Sequence, residues 1–553
     1  MLKNTLIAAL AVVGSAALAA ELPSAGSQLK QIPSAPVPDK AAPQLQIERN
    51  APAIQPTDQT KLLVNRLRVI NAHAFSEPEL IAVTGFKPGE LTLSELRNLA
   101  AKVANYYHRH GYFLAQAILP AQDIADGEVT IAVTEGKYGK ITLRNHSKLA
   151  DGVAQHLLNG LNSDEPIVIA PLERRLLLLA DLPGVNIKST LAPGASVGTS
   201  DLIVDVAPDQ RLSGSVDADN TGSRYTGAYR FGGTLNINNP LGYGDVVTLR
   251  ALTSWHGLNY GRAAYQLQLG AVQAGVAYTA LDYDLGHEFS SLQAHGTAHI
   301  ASVYGRYPLL RSRNNNLYTQ LNFDAKTFRD QVDITAPPTI TDKRAKVAML
   351  SLIGDHRDRV GGGGLSTYSL TWSSGSLDLQ DEQALIDAIS ARVDGHYDKF
   401  NVSIMRLQSL SESLALYAAL QGQLASHNLD VSEKMGLGGA DSVRAYPTGE
   451  AYVDQGYVLN VEARLLLPKP FKQLAGQLQL VGFVDSGTGS LNKDPWSGGQ
   501  NRRTLSGAGL GLNWFATNNF MVKTAYAHKL GAAAATSAPD SDSRFWINAS
   551  KYF

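Results

Sequence analysis

The chain has 553 residues, 48 of them Lys or Arg and 49 Asp or Glu, so its formal charge is −1 and nothing in that balance points to nucleic acid. It contains no cysteine, which removes disulfides, thiol catalysis and Cys-ligated metals from consideration. Beyond the amino-terminal segment no stretch reads as a membrane-spanning helix, so any passage through a bilayer must be made by strands.

Residues 1–19 read as a cleaved secretory signal: Lys3 supplies charge, residues 5–18 are apolar and Ala-rich, and Ala17-Leu18-Ala19 has the small-x-small pattern of a peptidase site. Residues 20–60 change character. Pro23, Pro33, Pro36, Pro38, Pro43, Pro52 and Pro56 interrupt regular structure, which predicts an extended linker. Local propensity leaves open whether a short helix forms near residues 22–32.

Residues 61–137 and 138–208 then read as two small α+β units of one order: strand, helix, helix, strand, strand. In the first, residues 67–71 form a strand. Thr92-Leu93-Ser94-Glu95 is a capping box opening a helix whose buried stripe is Leu96, Leu99, Val103 and Tyr106, with Gly111 as the stop. Residues 112–119 and 127–133 return as strands. In the second, 138–143 is a strand, 150–161 a helix with Val153, Leu157, Leu158 and Leu161 apolar, and 171–180 a helix with Pro171 near its first turn. Residues 185–191 and 202–206 close it.

From residue 209 to 553 one amphipathic strand follows another. Val247, Leu249 and Ala251 share a face; Tyr265, Leu267 and Leu269 face away from Gln266 and Gln268; residues 317–326, 457–465 and 477–480 alternate likewise. Many such strands without helical filler suit a closed antiparallel β-barrel in lipid, where every backbone group must pair internally. A spanning strand of about 9–11 residues with its turn or loop takes roughly 21, which predicts about 16 strands.

Two barrel motifs carry a family resemblance. Residues 436–450, with Val443-Arg444-Ala445-Tyr446, Gly449 and Glu450, look like the long sixth extracellular loop of the two-partner secretion transporters, whose core reads Val-Arg-Gly-Tyr. Phe483-Val484-Asp485-Ser486-Gly487 looks like their Phe-x-Asp-x-Gly strand, and Asp219-Asn220-Thr221-Gly222 with Thr226-Gly227 resembles the start of their barrel. The chain thus resembles the haemolysin secretion/activation family, and its two soluble units resemble POTRA repeats. The resemblance implies a protein of the bacterial outer membrane with its repeats in the periplasm. It implies a pore that takes an unfolded partner exoprotein (an adhesin, haemolysin or contact-dependent toxin) by strand addition to an exposed sheet edge, and translocates it to the cell surface. It also implies a plug helix near residues 22–32, a loop folded back into the lumen, no enzymatic activity and no cofactor. Outer-membrane lipid surrounds the barrel, and the barrel-assembly machinery reads the aromatic-ended last strand, here Phe545, Ile547, Ala549 and Phe553, with Lys551 breaking the row.

Strand parity adds to this. In residues 477–485, Gln477, Gln479 and Asp485 share a face opposite Leu478, Leu480 and Val484, so Asp485 points into the lumen if the leucines face lipid. The expected partner is Arg444, in a contact that clasps the loop to the wall; in a wet lumen it should contribute about 1 kcal/mol or less. The bland alternative is that both are merely solvated. Ala445 departs from the family's Gly. A methyl group disfavours φ > 0, so the loop tip is expected to turn differently.

Other constellations carry little. His108-Arg109-His110 lacks further metal donors, Asp217-Ala218-Asp219-Asn220 lacks the spacing of a calcium loop, and Gly361 to Gly364 has no Lys-Ser/Thr after it. Two other function classes stay open: an assembly or insertase component of the same superfamily, and a passive porin, against which the soluble repeats argue.

Overall fold

The computed structural model describes residues 22–33, 44–47, 60–124, 126–468 and 475–553, so the expected signal at 1–19 lies outside the described residues. Helix α1 (Ala25–Lys30) and strand β1 (Gln44–Ile47) come first among the described residues. The first α+β unit comprises β2 (Lys61–Val64), β3 (Arg66–Ile70), α2 (Glu77–Thr84), β4 (Gly89–Thr92), α3 (Leu93–Arg109), β5 (Gln116–Ile118) and β6 (Glu128–Thr134). The expected capping box starts α3: the Thr92 hydroxyl accepts from Glu95 N (3.2 Å) and the Glu95 carboxylate from Thr92 N (2.7 Å). The buried stripe is Leu96, Ala100, Val103 and Tyr107, while Leu99 and Tyr106 are only half-buried. Tyr107 wins the interior position because its hydroxyl has a buried acceptor there, Glu135 at 2.9 Å. Burial, and then that carboxylate, push the Tyr107 hydroxyl well above its ordinary pKa, so it stays a donor.

The second unit comprises β7 (Lys137–Asn145), α4 (Asp151–Leu158), α5 (Ile169–Ala180), β8 (Val185–Pro193) and β9 (Thr199–Pro208). Leu157, Leu172, Leu176, Leu179, Ile187, Leu191 and Val204 form its core. Its sheet runs β1-β8-β9-β7, and β1 was not expected. This piece of the Pro-rich linker pairs in parallel along the edge of β8, Gln44 opposite Lys188 through Ile47 opposite Leu191. Leu45 seats over Ile169, Leu172 and Leu176. The β8 edge of this sheet is therefore covered by the chain itself.

Sixteen strands then close a barrel, in agreement with the expected count. They are β10 (Leu212–Asp219), β11 (Arg230–Asn238), β12 (Val246–Thr253), β13 (Leu258–Leu269), β14 (Val272–Asp284), β15 (Ala294–Arg311), β16 (Asn315–Val332), β17 (Thr339–Asp358), β18 (Gly364–Leu379), β19 (Gly395–Ser409) and β20 (Leu414–Ala425), then, after a long loop holding the two-residue strands β21 (Met435–Gly436) and β22 (Tyr452–Val453), β23 (Gln455–Leu467), β24 (Gln477–Ser490), β25 (Arg502–Phe515), β26 (Phe520–Lys529) and β27 (Ser543–Tyr552). Each pairs antiparallel with the next, and β27 closes on β10 from Ser215–Tyr552 to Asp219–Asn548. Leu249, Val276, Leu321, Leu350 and Trp372 are exposed on the outer face, while Asp217, Gln423, Asn460 and Glu462 are buried inside. Closure removes edges, and alternation puts apolar groups against lipid. A helix not foreseen, α6 (Asp381–Ala388), sits between β18 and β19.

The second unit is held on the turn between β15 and β16. Arg311 forms a two-point contact with Asp181 (2.7 and 2.8 Å), Arg313 pairs with Glu173 (2.7 Å), and Arg174 donates to the carbonyls of Pro308 and Leu309. That end of the barrel is the one the family resemblance places in the periplasm.

Candidate functional site

The loop over residues 426–454 turns into the barrel rather than out to solvent, and the reason lies in the wall. Along β24 the inward positions include Val481 and Phe483 as well as polar groups. Leu437, Val443, Ala445, Tyr446 and Val453 of the loop bury themselves against these and against Val458 and Leu505. Gly487 makes room: a Cβ there would lie 3.1 Å from a Val443 methyl.

On this apolar bed sits the ion cluster. The Arg444 side chain donates from Nε and Nη2 to the two oxygens of Asp485 (2.8 and 2.7 Å), and its backbone N–H donates to the same carboxylate (3.1 Å). Nη1 reaches Glu462 on β23 at 2.7 Å, and the guanidinium lies 3.5 Å over the Phe483 ring. Asn460 donates both to Asp485 (2.8 Å) and to the Ser442 carbonyl (2.8 Å), and Trp546 Nε1 donates to the Arg444 carbonyl at 2.7 Å. Asp485 is fully buried and Arg444 nearly so. The setting is therefore drier than a wet lumen implies, and the contact is a buried two-point pair with a second acid rather than a solvated contact.

The other motif residues surround this pair. Tyr446 is buried, its hydroxyl donates to the Ala533 carbonyl (3.0 Å), and Lys529 lies over its ring. Glu450, also buried, accepts from Arg503 (2.6 Å) and from the backbone and hydroxyls of Thr536 and Ser537 (2.8–2.9 Å), which ties the loop to the last extracellular loop. Gly449 has φ 83° and packs on the Gln31 amide, so both conformation and space call for glycine. Ala445 is not in the positive-φ region, so its methyl costs nothing; it packs against Gly507, where a Cβ would clash at 2.5 Å. Phe553 lies apart from this site, at the β10 edge, exchanging backbone hydrogen bonds with Gly214. Among the tempting acids, Asp217 and Asp219 pair with Arg250 and Arg230 at 3.0 Å.

Helix α1 lies inside the same lumen. Asp330 on β16 accepts from Ala25 N (2.7 Å) and from the Tyr283 hydroxyl (2.8 Å). Gln28 accepts from Thr226 (2.8 Å), Tyr452 of the long loop donates to the Ser27 carbonyl (3.0 Å), and Arg230 caps the Gln31 carbonyl (2.7 Å). The loop is pinned nearby by Glu433, between Lys326 and Lys399 at 2.6 and 2.7 Å, and by Asp430 on Lys343 at 2.7 Å. Glu462, Asn460, Glu433 and Asp330 went unnoticed in the sequence. For the first two a signal was there, since they occupy the inward parity opposite Leu459 and Val461.

A closed sixteen-stranded barrel with periplasmic POTRA units and a loop folded into its lumen defines a protein-conducting pore of the outer membrane. Residues 198–514 match the family described as haemolysin secretion/activation protein ShlB/FhaC/HecB, and residues 62–136 match its ShlB-type POTRA domain. The chain belongs to this family of two-partner secretion transporters. It is 31% identical over 475 residues to the heme/hemopexin transporter protein HuxB of Haemophilus influenzae (strain 86-028NP), covering 84% of this chain and 82% of that protein. It is 24% identical over 371 residues to the outer membrane transporter CdiB of Dickeya dadantii, covering 64% and 63%. The solved structure of CdiB from Escherichia coli shares the fold, with a TM-score of 0.70 over 92% of both chains at 19% identity. The protein is accordingly an outer-membrane transporter that moves a secreted partner protein from periplasm to cell surface.

Proposed function

We propose that this pore exports one cognate exoprotein, and that the structure represents its closed resting state. The observation that carries the reading is the buried Arg444–Asp485–Glu462 cluster, which fixes the long loop across the lumen together with α1. Transport requires α1 to leave the lumen. The clasp holds the loop in the one conformation that lets the client pass, while Val443, Tyr446, Gly449 and Glu450 shape its seat and Phe483 and Gly487 shape the wall. In the periplasm an extended client segment pairs with a sheet edge through its backbone, which makes little demand on sequence. On the second repeat, docking at β8 first requires β1 to leave. No nucleotide step is needed, because folding of the client outside opposes its return.

The partner is of the adhesin, haemolysin or contact-dependent toxin type. The name of HuxB makes an exoprotein serving heme or hemopexin acquisition the first candidate to test. Co-expression with an exoprotein encoded beside this chain should release that protein into the medium. Deleting residues 62–136 should abolish release while leaving the barrel in the membrane. Loss of many unrelated barrels from the outer membrane on deleting the whole gene, with no specific export defect, would favour the insertase reading instead.

A further inference from the structure

The outer wall of β15–β18 carries charges that transport does not use. On β17 the lipid-facing positions Leu352, Leu350 and Ala348 are apolar, and the next two outward positions away from the periplasmic turn are Lys346 and Arg344, both exposed. The neighbours repeat the change at the same height. Leu321, Phe323 and Ala325 on β16 give way to Thr327 and Arg329, and Leu370 and Trp372 on β18 give way to Ser376 and Asp378. Register aligns these as rows across the wall: His299, Thr327, Arg344 and Asp378 in one, Ala325, Lys346 and Ser376 in the next. The apolar band thus ends at Lys346, on the half of the barrel opposite the docked POTRA unit.

A cation on a lipid-facing wall is unfavourable at mid-membrane and tolerated at the interface, where headgroup charges can pair with it. Arg329 already has a partner, Asp342 at 3.5 Å, and Asp342 also accepts from the Gln380 amide (3.0 Å). Arg344 and Lys346 have no carboxylate within ion-pair reach among the described residues; Asp378, beside Arg344 in register, bounds the site on one side. Arg344, Arg329 and His299 line a shallow recess of about 810 Å³ with Thr297, Asp342 and Asp378, and α6 adds its acidic first turn, Asp381 and Glu382, to the rim. A ligand here must therefore bring its negative charge to the lower, lipid side of the recess, where the two free cations stand.

We infer that Arg344 and Lys346 bind the phosphate of a phosphorylated lipid headgroup in the outer leaflet, with the lipid's acyl chains lying along Leu321, Phe323, Leu350 and Trp372. The headgroup, rather than a soluble anion, is the ligand because the cations sit directly above the apolar band that the chains would cover.

The test uses the full-length protein in detergent, stripped of lipid and titrated with bisphosphorylated lipid A, with fully dephosphorylated lipid A, and with inorganic phosphate, bound lipid being counted by native mass spectrometry. Wild type should take the phosphorylated lipid about tenfold more tightly than the dephosphorylated one, and Arg344→Ala/Lys346→Ala should lose that preference, as expected for two exposed charge-assisted contacts. Arg344→Lys/Lys346→Arg should retain it, and heat-modified gel mobility should show all variants folded. Equal binding of the two lipids by wild type, an unchanged preference in the double alanine variant, or full competition by inorganic phosphate at equal concentration would each overturn the assignment.

Discussion

Replacing Arg444 by Ala removes three charge-assisted hydrogen bonds at once, two to Asp485 and one to Glu462, together with the stacking over Phe483. Breaking a buried ion pair costs about 3–5 kcal/mol when the remaining charge is stranded. Asp485 is not wholly stranded, since Asn460 and the backbone N–H of residue 444 still donate to it, and Glu462 keeps Arg464 at 2.7 Å. The cost should therefore sit near the lower limit, about 3 kcal/mol. That energy opposes local release of the loop, so it is read in amide hydrogen exchange over residues 437–446. Protection there should fall about a hundredfold, at 1.4 kcal/mol per decade, with the barrel strands unchanged. Asp485→Ala should act similarly, and the double variant should show a coupling of about 2 kcal/mol. Export of the partner should drop strongly in all three at normal membrane levels. A coupling below about 0.5 kcal/mol, or export at the wild-type rate, would refute the clasp.

Asp330→Ala removes the anchor of the α1 amino terminus and should raise ion conductance in planar bilayers, and deletion of residues 22–32 should raise it further; unchanged conductance would exclude a plug. Because the chain has no native cysteine, Gln46→Cys with Thr190→Cys should trap β1 on β8 cleanly, and oxidation should slow export until reductant is added. Leu45→Asp sets a charge against an apolar seat, a cost of about 2 kcal/mol or more, and should abolish that cross-link. Glu450→Ala leaves Thr536 and Ser537 without their acceptor, so protease sensitivity across residues 530–542 should rise; unaltered digestion would show that the tie contributes nothing.

The barrel was legible because lipid enforces one rule on every strand, and Leu249, Leu321 and Leu350 obey it whatever their neighbours do. Asp485 could be aimed inward by the same parity, and its partner could be named because the two motifs come as a pair. What escaped notice depended on contacts distant in sequence. Tyr107 rather than Tyr106 faces the core because Glu135, 28 residues on, waits for its hydroxyl. Strand β1 is four residues next to a proline, with no periodicity to read, and it exists only because β8 offers an edge. The dryness of the clasp was invisible because Val481 and Phe483 look like breaks in the inward polar row until a loop covers them.

Strand β1 is, in effect, a ligand tethered to its own receptor. A short tether keeps such a ligand at an effective concentration of about millimolar, whatever the bulk solution holds. A stray unfolded protein offering one weakly pairing stretch cannot compete with that. A client that also engages the first repeat competes from a tether of its own and meets β1 on equal terms. If clients dock by strand addition as proposed, the covered edge converts a binding mode with little sequence preference into a selective one, because it rewards clients that attach at two places at once.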